Sequence, residues 1–150
     1  MPSKKFVIAG VLTAVATGAL AHSGAKGVVK VRMDSMKAIA QATKGIAKAD
    51  WSDADAARAV VQENARTLSE HARNMVKLFP AGSRTGMSEA TEAVWERPDE
   101  FAELARRLDV SAQAIGKAAV TASARSDIAG PLGEAGATCQ ACHKDFRLKR

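Results

Sequence analysis

The residues of this 150-residue chain best suited to chemistry are two cysteines and a histidine near its end, Cys139-Gln140-Ala141-Cys142-His143. Two thiols at C-x-x-C spacing can each add to a vinyl group on one edge of a porphyrin, and the adjoining imidazole then offers an axial nitrogen to the iron. The string therefore implies one covalent haem c per chain, held by Cys139 and Cys142 with His143 as axial ligand. Three other chemistries compete for the same side chains: a structural disulfide, a thiol-disulfide redox pair and half of a zinc site. A redox pair of the thioredoxin kind needs a βαβ setting, and no period-two strand pattern is present. Zinc needs a second pair of ligands, where the only other histidines are His22 and His71. A disulfide leaves His143 without a role.

The elements that must position this motif begin after a leader. Lys4 and Lys5 precede an almost wholly apolar run over residues 6–21, which ends Ala19-Leu20-Ala21. That pattern predicts a secretory signal over 1–21, cleaved to leave a haem domain over 22–150. The apolar run is shorter than the roughly 20 residues a spanning helix needs, so no stable membrane anchor is expected after cleavage. The full chain carries 22 basic and 16 acidic residues, a net +6, and losing two lysines with the leader lowers this to +4. Acids are interleaved with the bases, and no basic stripe with stacking aromatics exists, which argues against a nucleic-acid partner. An electrostatically guided protein partner suits the residual charge.

Helical periodicity accounts for the rest of the chain. Val28, Arg32, Met36, Ile39, Thr43 and Ile46 fall on one stripe of a first helix over 27–49. Trp51-Ser52-Asp53 supplies cap residues for a second helix, with Val61, Ala65, Leu68, Ala72, Met75 and Phe79 inward, ending near Pro80. A loop over 81–92 holds Gly82, Ser83 and Gly86. Pro98 then opens a third helix with Phe101, Leu104, Leu108, Ala112, Ile115 and Ala119 inward. After a polar break over 123–127, Leu132, Ala135, Cys139, Cys142 and Phe146 mark a fourth helix, in which Gly130-Pro131 predicts a kink or a late start. The pattern is all-α and predicts an antiparallel four-helix bundle with the haem near its C-terminal helix. Thirty-two alanines against four Phe, two Trp and no Tyr leave a core short of large rings, a shortage that a flat apolar cofactor would fill.

Arg32-Met33-Asp34-Ser35-Met36-Lys37, Leu78-Phe79-Pro80, Val94-Trp95-Glu96 with Phe101, and the run 139–147 together resemble the cytochrome c-prime and cytochrome c-556 family over nearly all of residues 22–150. On a buried stripe, Arg32 needs an anionic partner, for which a haem propionate is the candidate; the alternative is an arginine that reaches the bundle end and pairs with a carboxylate or water. In the family, the residue one turn after this arginine packs over the open haem face. A Met there ligates iron in c-556-like members, whereas a c-prime-like member only fills the space. Arg-Met-x-x-Met-Lys looks closer to the c-556 branch, which implies His143/Met36 ligation and a periplasmic one-electron carrier that serves redox protein partners. The alternative is a five-coordinate c-prime-like protein that binds nitric oxide or carbon monoxide. An enzyme such as a peroxidase is disfavoured, because no distal His/Arg acid-base pair is evident.

Lesser expectations concern single residues. Met33 lies at the stripe edge, His71 reads as a solvated histidine and Trp95 as packing. As the first residue after cleavage, His22 has some capacity to chelate copper. Lys144, Arg147, Lys149 and Arg150 read as cations suited to a helix C-terminus or, more sharply, as a docking rim. Many relatives pair as homodimers, and the sequence leaves that option open.

Overall fold

The computed structural model describes residues 25–149. The expected leader, His22 and Arg150 lie outside them. Four long helices and one short one follow in order: α1 Gly27–Ala47, α2 Ala54–Asn74, α3 Ala93–Glu96, α4 Pro98–Ala119 and α5 Ala129–Phe146. The architecture is the expected helical bundle. No strand forms among the described residues, which leaves only an isolated bridge between Ala90 and Arg147.

Local chemistry sets the boundaries. Asp53 accepts from the Ala56 N–H at 3.1 Å and so caps α2. α2 stops at Asn74, earlier than the periodicity suggests, and a single 3-10 turn over Val76–Leu78 carries the chain to Phe79. Pro80 disfavours helical backbone at the preceding residue, so the helix cannot run on through Phe79. Pro98 is the first residue of α4, as expected, where its missing N–H costs nothing. A kink or a late start is the expectation at Gly130-Pro131, and the helix starts directly before that pair. α5 begins at Ala129, so Pro131 sits in the first turn, whose N–H groups have no intrahelical partner in any case. Ahead of it, the Asp127 carboxylate accepts from the Ser123 and Ala124 N–H groups at 2.8 and 3.0 Å and fixes the turn that leads into α5.

α1 packs on α2, α2 on α4 and α4 on α5, while no comparable packing joins α1 to α5. The bundle thus has three closed seams and one open one. The closed seams rest on small and branched side chains: Ile46, Val61, Leu68, Ile115 and Ile128 are fully buried, interleaved with Ala57, Ala65, Ala72, Ala112 and Ala119. A Cβ added to Gly45 would fall 2.7 Å from the Asn64 side chain, which shows how closely α1 and α2 approach.

The inward face of α1 is turned slightly from the expected stripe. Val29, Arg32, Ser35, Ile39, Ala42 and Ile46 are buried, while Val28, Met36 and Thr43 are half-buried beside them. On α4 the inward position is Ala105, with Leu104 half-buried. Four of the five rings among the described residues gather together, and Trp51 stands apart in the turn between α1 and α2. Phe79 lies 4.8 Å from Phe101 between centroids, Phe101 lies 5.4 Å from Phe146, and Phe79 lies 6.2 Å from Trp95. These four side chains fill one end of the bundle, the end that carries the cysteine motif.

Candidate haem attachment site

On α5, Thr138 and Phe146 are buried and fasten the helix to the core, while Cys139 and Cys142 between them are half-buried and His143 is exposed. Residues three and four apart share a helix face, so both thiols and the imidazole project on the same side of α5. Cys139 and Cys142 also pack against the core from outside it, as Met36 of α1 does. The side chains that border the core without being enclosed by it therefore include two thiols and a thioether.

Electrostatics narrows what these groups can do. Burial pushes the Cys139 thiol above its ordinary value. Cys142 is pushed up to about 11, first by burial and then by its neighbour Cys139. Both are protonated at neutral pH, opposite to the depressed thiols of disulfide exchangers. The cysteines are free, so no disulfide joins them. Among the described residues no three His, Cys, Asp or Glu side chains converge as a metal site, so the zinc alternative also lacks its ligands. His143 is held below its ordinary value, first by desolvation and then by the charge of Arg147, with Glu89 opposing. Its neutral form, which has a lone pair to give, is thereby favoured. Two half-buried thiols and a neutral imidazole on one helix face, beside an open seam, fit a flat cofactor tethered by two thioethers and ligated from one side.

Arg32 has partners that the sequence did not indicate. It is 5% exposed and pairs with neutral oxygens: Nε and Nη2 donate to the Leu78 carbonyl at 3.2 and 2.8 Å, Nη2 to Ser83 Oγ at 2.9 Å and Nη1 to Ser88 Oγ at 2.8 Å. Its guanidinium also stacks 4.0 Å from the Phe79 ring centroid. No carboxylate of the described residues is among these contacts. Burial pulls its pKa down, but a guanidinium stays charged in proteins. The positive charge is therefore solvated by dipoles without being neutralised. The only hint of this in the sequence is the turn chemistry around Gly82, whose φ of +72° favours glycine and which brings Ser83 round to α1.

Other expected residues fall into structural roles. His71 is not simply solvated: its Nδ1 lies 2.9 Å from the buried Ser35 Oγ, a hydrogen bond that ties α2 to α1. Trp95 packs as expected, and its Nε1 donates to the carbonyls of Phe79 and Pro80 at 3.1 Å each. Phe146 is core, and Arg147 pairs with Glu89 at 3.0 Å, so part of the C-terminal charge cluster is already engaged. Met33 is half-buried on α1, three residues before Met36.

Comparison with known proteins agrees with this geometry. A family model described as Cytochrome C' matches residues 27–147. The chain is 34% identical over 125 residues to cytochrome c' of Rhodopseudomonas palustris, covering 82% of this chain and 83% of that one. It is 37% identical over 128 residues to cytochrome c-556 of Agrobacterium tumefaciens (strain II Chrys), covering 83% of this chain and 94% of that one. Among solved structures it resembles cytochrome c' from Rhodopseudomonas palustris, with a TM-score of 0.69 and 28% identity over 84% of this chain and 99% of the other.

Proposed function

This chain belongs to the cytochrome c' family, whose members carry covalently attached haem c, and from that membership we propose that it is an exported one-electron carrier of the periplasm. When bound, haem c supplies an iron that exchanges one electron between Fe(III) and Fe(II). Cys139 and Cys142 would hold the group through two thioethers, and His143 would offer its imidazole lone pair to the iron. Met36 would offer its thioether sulfur, a soft neutral donor of the kind that favours the reduced state. Arg32, charged and without an acidic partner, attracts a propionate to the same end of the bundle, with one Nη1–H left to donate.

The observation that supports this reading is that Cys139 and Cys142 of α5 and Met36 of α1, on two helices without close mutual packing, are all half-buried against the edge of the core. The leader pattern supports export. No helix among the described residues is long and apolar enough to cross a membrane. Four of the five Arg32 N–H groups are taken by the 78–88 segment, an engagement that suits a positioning role and supports a carrier over an enzyme. Its partners are redox proteins met transiently. Self-pairing as a homodimer is compatible with this role.

An absorption spectrum of the purified holoprotein tests the ligand assignment. Sharp reduced bands and a ferric sulfur charge-transfer band are expected, and Met36→Ala is expected to abolish that band and give high-spin iron. A wild-type spectrum that is already high-spin, with ready binding of nitric oxide or carbon monoxide, would overturn Met36 ligation in favour of a gas-binding role.

A further inference from the structure

The segment over residues 83–91 touches both edges of the open seam. On the α1 side, Ser88 is buried and its Oγ accepts from Arg32 Nη1 at 2.8 Å and from the Ala90 N–H at 3.2 Å, while Ser83 Oγ accepts from Arg32 Nη2 at 2.9 Å. On the α5 side, the Thr91 N–H donates to the Phe146 carbonyl at 3.1 Å and the Leu148 N–H donates to the Glu89 carbonyl at 2.8 Å. Thr91 Oγ1 donates to the Asp145 carbonyl at 2.8 Å, and Arg147 Nε donates to the Glu89 carboxylate at 3.0 Å. The two anchor points stand in a fixed relation to the site. Arg32 lies one helical turn before Met36, and Arg147 lies one turn after His143.

Direct packing between α1 and α5 is weak compared with the other seams, so a segment bonded to both helices can help to set their separation. We infer that residues 83–91 are a tie across the seam, with Ser88 the positioning residue that fastens the α1 edge to the segment clamped on the end of α5. The chemistry suits that role. The Ser88 hydroxyl is buried and accepts twice, once from a charged donor, and hydrogen bonds to charged groups are among the stronger ones. Serine to alanine removes both bonds with almost no change in volume, and so strands a buried guanidinium N–H. The Ser88 hydroxyl bonds Arg32 and the Ala90 N–H and acts through Arg32 on the helix that carries Met36, while its neighbour Glu89 acts on His143 by charge.

The part of this inference that concerns iron ligation rests on the Met36 reading above; the tie itself does not. Ser88→Ala in the holoprotein is therefore read in two ways, with Ser69→Ala as a matched control. Ser69 is also buried, but it bonds Asp109 across the closed α2–α4 seam. First, amide exchange at Thr91 and Leu148 should quicken about ten-fold in Ser88→Ala and stay unchanged in Ser69→Ala, the size expected for one lost charge-assisted bond. Unchanged exchange at Thr91 and Leu148 would overturn the tie. Second, carbon monoxide association with the ferrous protein, which requires Met36 to leave, should rise about ten-fold in Ser88→Ala alone. An equal rise in both variants would reduce Ser88 to general stability and overturn its positioning role. If the wild-type and Met36→Ala spectra are identical, the ligand reading has failed, and the exchange result alone decides the tie.

Discussion

The α2–α4 seam and the α1–α5 seam belong to one bundle but are built by opposite rules. Between α2 and α4, Val61, Leu68 and Ile115 are fully buried among Ala65, Ala72 and Ala112, so apolar contact dominates, with a Ser69–Asp109 hydrogen bond beside it. Between α1 and α5 there is no comparable interface. On these two helices the half-buried side chains against the core include chemically soft ones, Met36 on one and Cys139 and Cys142 on the other. A four-helix bundle does not need four closed seams. Three suffice to fix the frame, and the fourth can then be given over to a cofactor and held to width by polar anchors such as Arg32 and Ser88.

The largest expected effect comes from removing the thiols of the open seam. Cys139→Ser with Cys142→Ser should abolish covalent haem, read as loss of haem staining after denaturing electrophoresis, and should lower thermal stability because a ligand that binds only the folded state is lost. Retained staining would refute attachment at this motif. The closed seam should answer in the opposite way. Ile115→Ala deletes fully buried atoms and should cost about 2–5 kcal/mol in denaturant unfolding, while the haem spectrum of the folded protein stays as it was. A changed spectrum at unchanged stability would show that the two seams are not separable. The smallest effect is a test of closeness. A Cβ on Gly116 would sit 3.6 Å from the Ala65 Cβ, an ordinary contact, so Gly116→Ala should raise stability by about 0.5–1 kcal/mol through helix propensity. A loss in thermal unfolding would mean that the α2–α4 seam has no room even for a methyl group.

Legibility followed the range of the interactions. Periodicity located the four long helices, and Pro98 opened α4 where expected, because both signals are local. Two boundary errors had the same source: Phe79 matched the helical stripe but stood before Pro80, and Pro131 looked like a breaker but fell in a first turn, where a proline is harmless. The stripe on α1 was nearly right. It ranked Met36 with the buried residues, whereas Ser35 takes the inward place and bonds His71 of α2. A serine carries no hydrophobic signal, and a histidine among polar neighbours looks solvated until its partner helix is in place.

Arg32 marks the same limit at the site. Its buried place on α1 announced a need for oxygen partners, because a buried guanidinium without them is costly. Which oxygens meet that need depends on a segment 46–56 residues further along, where the turn at Gly82 is a hint and Ser88 carries no local signal that it meets α1.

By itself, then, the sequence determined the chemistry and the class of frame. C-x-x-C-H places two thiols and an imidazole within a turn and a quarter of helix, and the apolar spacing makes four helices that must bury their stripes. Only the tertiary structure decided which helices pack closely, how four of the rings gather at one end, and that the Leu78 carbonyl and the Ser83 and Ser88 hydroxyls meet Arg32. Those outcomes depend on where helices distant in sequence come to lie, and local spacing carries no record of that.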